Sequence, residues 1–213
     1  IIEKKKKIKK YKNFFFKVCV IDNNSKDQTF KKTISFIRNR NLKKFEIIRN
    51  LKNFGQGGSH KVAFEYALKN KCDFCLVYHG DDQANISDFK NFFLNKTYKS
   101  YDALLGARFL KDSKLINYQL YRILGNKFFN FLFSLVSNYK IYDLGSGINL
   151  YGKKVISDEY VKYIDNQMGF NYQNLLLMIS KKRNIRFYPI SWKSENEESN
   201  VQLVSQSLKV LKI

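Results

Sequence analysis

Short apolar runs alternate with helical patterns through the first half of the chain. The predicted strands are Phe14–Ile21, Phe45–Arg49, Phe74–Tyr78 and Asp102–Leu105. The helical patterns that alternate with them are Asp27–Asn39, Gly57–Leu68 and Ile86–Leu94. Because strands that alternate with helices form βαβ units, this order predicts an α/β fold with a mostly parallel sheet flanked by helices.

The second half of the chain is more helical. Its strongest helical patterns are Tyr118–Val136 and Tyr172–Lys182, and a last one covers Ser199–Lys212. Ile185–Trp192 is predicted to be a strand, and Pro189, the only proline of the chain, favours an edge position for it. Neither an internal repeat nor a linker interrupts the pattern, so we expect residues 1–213 to form a single domain.

Two of the predicted strands end in acidic, turn-forming segments. Asp22 follows one strand, and His79, Asp81 and Gln83 follow another. The carboxyl ends of parallel strands meet at the edge where open α/β sheets bind their ligands. Either segment alone is equally consistent with an Asx turn and a helix cap. The two together predict a site for a nucleotide and a metal ion.

The second of these segments has the residue types of a metal site. Asp81 and Gln83 offer oxygen ligands, which suit Mg²⁺ or Mn²⁺ bridging a diphosphate. An imidazole ligand from His79 would favour Mn²⁺. The alternative for His79 is a hydrogen-bonded loop histidine.

A glycine-rich turn, Asn53-Phe54-Gly55-Gln56-Gly57-Gly58-Ser59, lies between a predicted strand and a predicted helix. Glycines at such a place let backbone N–H groups approach an anion at the helix N-terminus. The alternative is a tightly packed loop, and this turn alone does not decide between the two.

The chain carries a formal net charge of +21, from 39 Lys and Arg residues against 18 Asp and Glu residues. Such a charge indicates an anionic partner. Since no nucleic-acid recognition motif is present, we expect a phosphate-bearing substrate or an anionic membrane surface rather than nucleic acid. The lysines of residues 4–10 add to this charge, although part of that run is expected to be a solvated helix face.

The most apolar stretch, Phe128–Val136, is too short to span a membrane. An interfacial helix and a core helix both fit it. Of the three cysteines, Cys19 and Cys75 are expected to be buried apolar residues, and the spacing of Cys72 and Cys75 is not expected to form a zinc site. The odd number of cysteines and the absence of a signal-peptide pattern favour a cytoplasmic location. With an anionic membrane surface as partner, the expected location is peripheral at the inner face of the membrane.

Several of these segments, in this order, resemble family-2 glycosyltransferases. Asp22-Asn23-Asn24-Ser25 with Asp27 and Thr29 resembles their Asp-Asp-x-Ser-x-Asp-x-Thr segment, and His79–Gln83 resembles their metal-binding Asp-x-Asp-x-Gln segment. The other matching segments are Asn53-Phe54-Gly55-x-Gly57, Gly106-Ala107-Arg108, Arg122-x-x-x-Asn126, Asp143-x-x-Ser146-Gly147 and Pro189–Trp192. The branch most similar contains dolichyl-phosphate mannosyltransferase and bacterial polyprenyl-phosphate sugar transferases.

The resemblance implies a GT-A type fold and an inverting transfer of a hexose from a nucleotide diphosphate-sugar to a polyprenyl phosphate or a glycan. It implies a donor site that includes Asp22, Asn24, Ser25, Asp27, Asn53, Gly55 and Gly57. It implies Mg²⁺ or Mn²⁺ at His79, Asp81 and Gln83, where Asp81 helps to stabilise the departing diphosphate. It places the acceptor phosphate at Arg108, Arg122 and Asn126, where arginine forks match phosphate oxygens, and a late cation at Lys193.

The acceptor decides whether a base is needed. A phosphate acceptor is already ionised near neutral pH and needs none. A sugar hydroxyl needs one, and Asp143 is then the candidate.

The chain departs from the family pattern at several places. His79 and Asn23 replace acids, and the late Arg-x-x-Gly-x-Ser-Lys loop is poorly kept in Lys193–Ser199. The opening strand of the family has no counterpart, so we expect an N-terminally truncated enzyme with a gap in the sheet beside the strand that ends at Asp22. The rival hypothesis is a non-catalytic basic module that keeps the fold and binds a membrane surface or nucleic acid.

Overall fold

The computed structural model describes residues 16–194, in which eight strands and six α-helices are formed. The strands are β1 (Val18–Asp22), β2 (Phe45–Arg49), β3 (Phe74–Tyr78), β4 (Ala103–Ala107), β5 (Lys114–Ile116), β6 (Ile148–Gly152), β7 (Ile185–Pro189) and β8 (Ser191–Lys193). The helices are α1 (Thr29–Asn39), α2 (Gly55–Lys69), α3 (Lys90–Leu94), α4 (Leu120–Ser137), α5 (Lys153–Ile156) and α6 (Phe170–Ser180). Short 3₁₀ turns cover Ile86–Phe89, Thr97–Ser100 and Glu159–Tyr163. The predicted helix Ser199–Lys212 and the lysines of residues 4–10 lie outside the described residues.

A four-stranded sheet forms the centre of the fold, in the order β3-β6-β4-β7. Strands β3, β4 and β7 run in one direction, and β6 is antiparallel to both of its neighbours. The expected mostly parallel sheet is therefore confirmed, with one antiparallel strand that the sequence pattern did not predict. All residues of β4 and β6 are buried, which explains why neither shows the apolar–polar alternation of a half-exposed strand.

Strands β1 and β2 form a separate parallel pair in which Asp22 is in register with Arg49. Within residues 16–194, no ladder joins β1 to β3. The expected N-terminal truncation, and the gap that it would leave beside the strand that ends at Asp22, stay predictions because residues 1–15 lie outside the described part of the chain. Helix α2 contacts both β1 and β3, and β1 is therefore held to the central sheet through this helix.

The core lies on both faces of the central sheet. Leu105 belongs to a cluster with Phe64 and Phe170, whereas its neighbour Leu104 belongs to a cluster with Phe89 and residues of the late strands. Adjacent residues of a strand point to opposite faces, so apolar side chains cover the sheet on either side.

The late strand predicted at Ile185–Trp192 is broken at Ile190. Its first part, β7, is an edge strand of the central sheet, as Pro189 indicated, and its second part, β8, pairs with β5. The break brings Trp192 beside Ala84, with which it forms a single antiparallel bridge. In the part of the chain that the structure describes, no helix is both long enough and apolar enough to cross a membrane.

Candidate functional site

The first turn of α2 connects the ends of β1 and β3, which no ladder joins in the described residues. Asn23, directly after β1, donates a hydrogen bond from Nδ2 to the Gly55 carbonyl at 3.2 Å. The Gln56 Nε2 atom lies 3.1 Å from Nε2 of His79, directly after β3. The sequence did not single out Gln56, and its place between two glycines was the only available signal.

The side chain of Asn23 organises the end of β1. Its Oδ1 accepts from Asn50 Nδ2 at 2.9 Å and from the Phe54 N–H at 3.0 Å, while its Nδ2 donates to Asn53 Oδ1 at 2.7 Å. Asn53 Oδ1 also accepts from the Gly55 N–H at 2.8 Å. Only an amide can donate and accept in this way, so asparagine fits here where a carboxylate does not.

Asp22 is buried and faces the segment that follows it. Its side chain is 2% exposed, lies 3.4 Å from Nε of Arg49 and accepts from the Ser25 N–H. Asn24 has a φ of 63° and reaches the Leu51 carbonyl at 3.5 Å. Asp27 accepts from the Thr29 N–H at 2.9 Å, just before α1, and its hydrogen bonds with Thr29 lower the pKa of this carboxyl.

The glycines at the start of α2 allow a close approach of residues 165–167. A Cβ atom added to Gly55 would lie 2.4 Å from the Asn166 carbonyl oxygen, and one added to Gly57 would lie 2.4 Å from that of Asp165. The Gly58 N–H donates to Asn166 O at 3.0 Å. These contacts favour the tight-packing alternative, and the partner segment is too distant in sequence for the local pattern to reveal it.

Two histidines lie at the centre of the site. The His79 N–H donates to the Gly147 carbonyl at 2.8 Å, and the ring lies 5.9 Å from that of His60 between centroids. The pKa of His79 is lowered, chiefly by burial. The nearby charge of Asp81 raises this pKa in part, and that of Arg108 lowers it further. Burial also lowers the pKa of His60 to about 4. Nδ1 of His60 lies 2.9 Å from Gln56 O, and its buried Nε2 has no hydrogen-bond partner among the described residues.

The predicted metal segment forms an exposed turn after β3. Asp81 is exposed, and its Oδ1 accepts from the Gln83 N–H at 3.1 Å. The Gln83 carbonyl accepts from the Lys193 N–H at 2.8 Å, so the late cation lies beside this turn. In residues 16–194, no group of three or more His, Cys, Asp or Glu side chains is placed to hold a metal ion.

Arg108, directly after β4, is fixed by a buried carboxylate. Its Nε and Nη2 donate to the two oxygens of Asp143, each at 2.8 Å, and Nη2 also donates to the Gly145 carbonyl at 2.8 Å. Burial alone would lower the pKa of Arg108, but Asp143 outweighs it and the pKa is raised. Since both oxygens of Asp143 are occupied, these contacts favour a positioning role for it over that of a base.

A tyrosine that the sequence did not single out links Arg108 to helix α4. The Tyr118 hydroxyl lies 3.3 Å from Arg108 Nη1 and 3.3 Å from Asn126 Nδ2. Asn126 also donates to the Arg122 carbonyl at 2.7 Å. The buried Nε of Arg122 has no hydrogen-bond partner among the described residues, which is unusual for a group that carries charge.

Comparisons with known proteins identify the family and the fold. The model of the family described as glycosyl transferase family 2 matches residues 5–159. The uncharacterized protein MJ1222 of Methanocaldococcus jannaschii is 28% identical over 154 residues, which cover 70% of this chain and 58% of that protein. The chain thus spans little more than half of this relative.

Two crystal structures of S. aureus TarS, residues 1–349, share the fold. One matches with a TM-score of 0.53 and 18% identity, over 86% of this chain and 53% of TarS. The other, a complex with UDP, matches with a TM-score of 0.55 and 17% identity, over 87% of this chain and 54% of TarS. The expected α/β fold of GT-A type is confirmed.

Proposed function

Because the chain belongs to glycosyl transferase family 2, and is thus a glycosyltransferase, we propose that it moves a hexose from a nucleoside diphosphate-sugar to a polyprenyl phosphate, with inversion. The observation that carries the choice of acceptor concerns the two arginines, Arg108 and Arg122. Arg122 has a buried N–H without a partner, and Asp143 is occupied by Arg108. A phosphate acceptor would satisfy the first and would make a base unnecessary.

The donor binds at the ends of β1 and β3. A neighbour with this fold binds UDP, and we propose a nucleoside diphosphate-sugar here. The donor-facing residues are Asp22, Asn24, Ser25, Asp27 and Asn53, with Gly55 and Gly57 shaping the turn beside them. Several of them are held by hydrogen bonds to neighbouring backbone, which prepares the edge of the site for a ligand.

The residues after β3 fit a divalent ion held mainly by the donor. Asp81 supplies an exposed carboxylate, with His79 and Gln83 in the same turn, and Mg²⁺ or Mn²⁺ at nucleotide sites takes many of its ligands from phosphates and water. Such an ion neutralises charge on the departing diphosphate. On the protein side, His79 and Asp81 would hold this ion. The contact between His79 and Gln56 connects the ion site to α2.

The acceptor phosphate lies between Arg108 and α4. Arg108 is fixed by Asp143 and keeps Nη1 directed to Tyr118, while Asn126 reaches the same hydroxyl from α4. Arg122 lies one turn before Asn126 and supplies the second guanidinium. Lys193, beside Gln83, adds positive charge where the diphosphate leaves. Such an acceptor places the protein at the inner face of the membrane.

Transfer from a UDP-sugar to a short-chain, water-soluble prenyl phosphate in the presence of Mn²⁺ tests this function. Asp81→Asn should remove most of the Mn²⁺-dependent affinity for UDP with the fold intact, whereas Asp73→Asn, at another exposed aspartate, should not. Arg122→Ala should lower transfer by about ten- to a hundred-fold and leave UDP binding unchanged, because a charged hydrogen bond to the acceptor is lost. The matched control is Arg40→Ala, at an exposed arginine of the α1 end.

The outcomes separate the two hypotheses. UDP binding without transfer to a phosphate or a glycan would favour the non-catalytic module. Undiminished transfer by Arg122→Ala would remove this residue from the acceptor site.

A further inference from the structure

Helix α4 turns its apolar side outward. Of its eight exposed residues, seven are apolar and the eighth is Lys127. Leu120, Leu124, Phe128 and Phe131 recur at intervals of three or four residues, so they form one stripe along the helix. Phe128 and Phe131 are 57% and 58% exposed, respectively. A contiguous exposed apolar surface of this kind marks an interaction site.

Two asparagines of α4 lie on the other side, towards the candidate site. Asn126 reaches Tyr118, and Asn130 donates to the Tyr142 carbonyl at 2.8 Å and accepts from the Leu144 N–H at 3.1 Å. Phe129 and Phe133 pack against the core. The aromatic run is therefore divided between a side that packs against the core, as the core-helix alternative predicts, and a side that is exposed.

The charge around this stripe has one sign. No acidic residue occurs from Ser113 to Tyr142, and exposed lysines lie at Lys114, Lys127 and Lys140. An apolar side flanked by cations matches an anionic bilayer surface, where acyl chains lie beneath phosphate groups. A second copy of a chain with a net charge of +21 would bring like charges together, which opposes self-association at this surface.

We propose that α4 lies in the plane of an anionic membrane, with Leu120, Leu124, Phe128, Phe131 and Leu135 inserted among the lipids. The helix has 18 residues, and at about 1.5 Å per residue it would cover about 27 Å of the surface. This assignment deepens the proposed function and rests on it, since a polyprenyl phosphate is held in a bilayer. It places Arg122 and Asn126 on the side of the helix away from the lipid, where a phosphate group can reach the site.

Sedimentation with vesicles of phosphatidylcholine, with and without phosphatidylglycerol, tests the docking surface. The native chain should bind the anionic vesicles, and added salt should weaken this binding. The double variant Phe128→Glu/Phe131→Glu should bind them about ten-fold less or weaker still, because two large apolar side chains are lost from the contact. The control is Leu94→Glu, at a leucine that is 51% exposed at the end of α3, and it should bind like the native chain.

Two results would overturn the proposal. One is unchanged vesicle binding by the double variant. The other is a lowered melting temperature or an altered mass of that variant without lipid, which would show that the chain itself or a second copy covers this side. UDP binding, measured without vesicles, separates the proposed function from the docking surface. Absence of UDP binding would refute the proposed function and leave the vesicle result intact. UDP binding without vesicle binding would refute the docking surface and leave the proposed function intact.

Discussion

Two arginine–carboxylate pairs of the candidate site differ in burial and geometry. Arg108 meets Asp143 through two hydrogen bonds of 2.8 Å, with side chains that are 12% and 1% exposed. Arg49 approaches Asp22 to 3.4 Å, and its side chain is 45% exposed. One pair joins β4 to a buried loop, whereas the other joins the ends of β1 and β2.

The difference shows which side of the site is fixed in advance. A buried ion pair brings little net stability, because both charges lose water, but it holds a guanidinium in one position. Arg108 is held in this way on the side that we propose for the acceptor. The more exposed pair lies on the side that we propose for the donor, where it is screened by solvent and would be free to rearrange when a nucleotide binds.

The largest expected effect is that of Asp143→Ala. It leaves the charge of Arg108 buried without its partner, and we expect the free energy of unfolding in urea to fall by about 3–5 kcal/mol. The double variant Arg108→Met/Asp143→Leu, which removes both charges, should recover most of this loss. A single variant within about 1 kcal/mol of the native chain would show that the pair is more hydrated than its burial indicates.

His60, on the helix that joins the two sides, should make stability depend on pH. Burial lowers the pKa of His60 to about 4 in the folded chain from its ordinary value of 6.5, so the unfolded chain takes up the proton first as the pH falls. The contribution of neutral His60 to the free energy of unfolding is complete above pH 6.5. It is lost as the pH falls towards 4, and the free energy of unfolding decreases by about 3 kcal/mol at most. The difference in unfolding free energy between the native chain and His60→Gln, followed from pH 7 to pH 4, isolates this contribution from that of the carboxylates. An equal slope for both would show that His60 is not kept neutral.

A smaller effect is expected at Asn23. In Asn23→Asp, the two hydrogen bonds donated by Nδ2 are lost and a carboxylate faces Asn53 Oδ1, so we expect a loss of about 1–3 kcal/mol. Asn24→Asp is the matched control, since Asn24 donates only a 3.5 Å contact to Leu51 O. Thermal unfolding of both variants measures the difference, and equal melting temperatures would remove Asn23 from its organising role.

The smallest effect belongs to the more exposed ion pair. Arg49→Gln should lower the free energy of unfolding by about 1 kcal/mol or less, because its partner Asp22 keeps the hydrogen bond from the Ser25 N–H. A loss as large as that of Asp143→Ala would mean that the two pairs do not differ in the way their burial suggests. UDP affinity measured on Arg49→Gln would show whether the pair of Arg49 and Asp22 rearranges when the proposed donor binds.

Local patterns predicted most helices and strands, but they did not reveal contacts between distant segments. The alternation of strands and helices identified β1 to β4 because each is a compact apolar run. It missed β6, whose residues are buried on both faces and include Asn149, a polar side chain satisfied by the Gly106 N–H at 3.1 Å. Asparagine and glycine are depleted in strands, so only the tertiary contact explains this element.

The candidate site divides in the same way. Asp22, His79 and Arg108 could be predicted at one edge because each stands at the end of a strand or directly after it. The roles of Gln56 and Tyr118 depend on side chains brought together by folding, as does the packing of Gly55 and Gly57 against residues 165–167. Their partners lie too far along the chain for spacing to indicate them.

In residues 16–194, β1 and β3 are not paired, and this has a consequence for the dynamics of the chain. Strands β4 and β6 are buried and paired, whereas β1 is only partly buried and, in residues 16–194, has a ladder with β2 alone. Segments with fewer buried contacts open at a lower free energy than the whole domain unfolds. The amide protons of β1 and β2 should therefore exchange with solvent deuterium sooner than those of β4 and β6, and a bound nucleotide should slow the exchange of the first pair selectively.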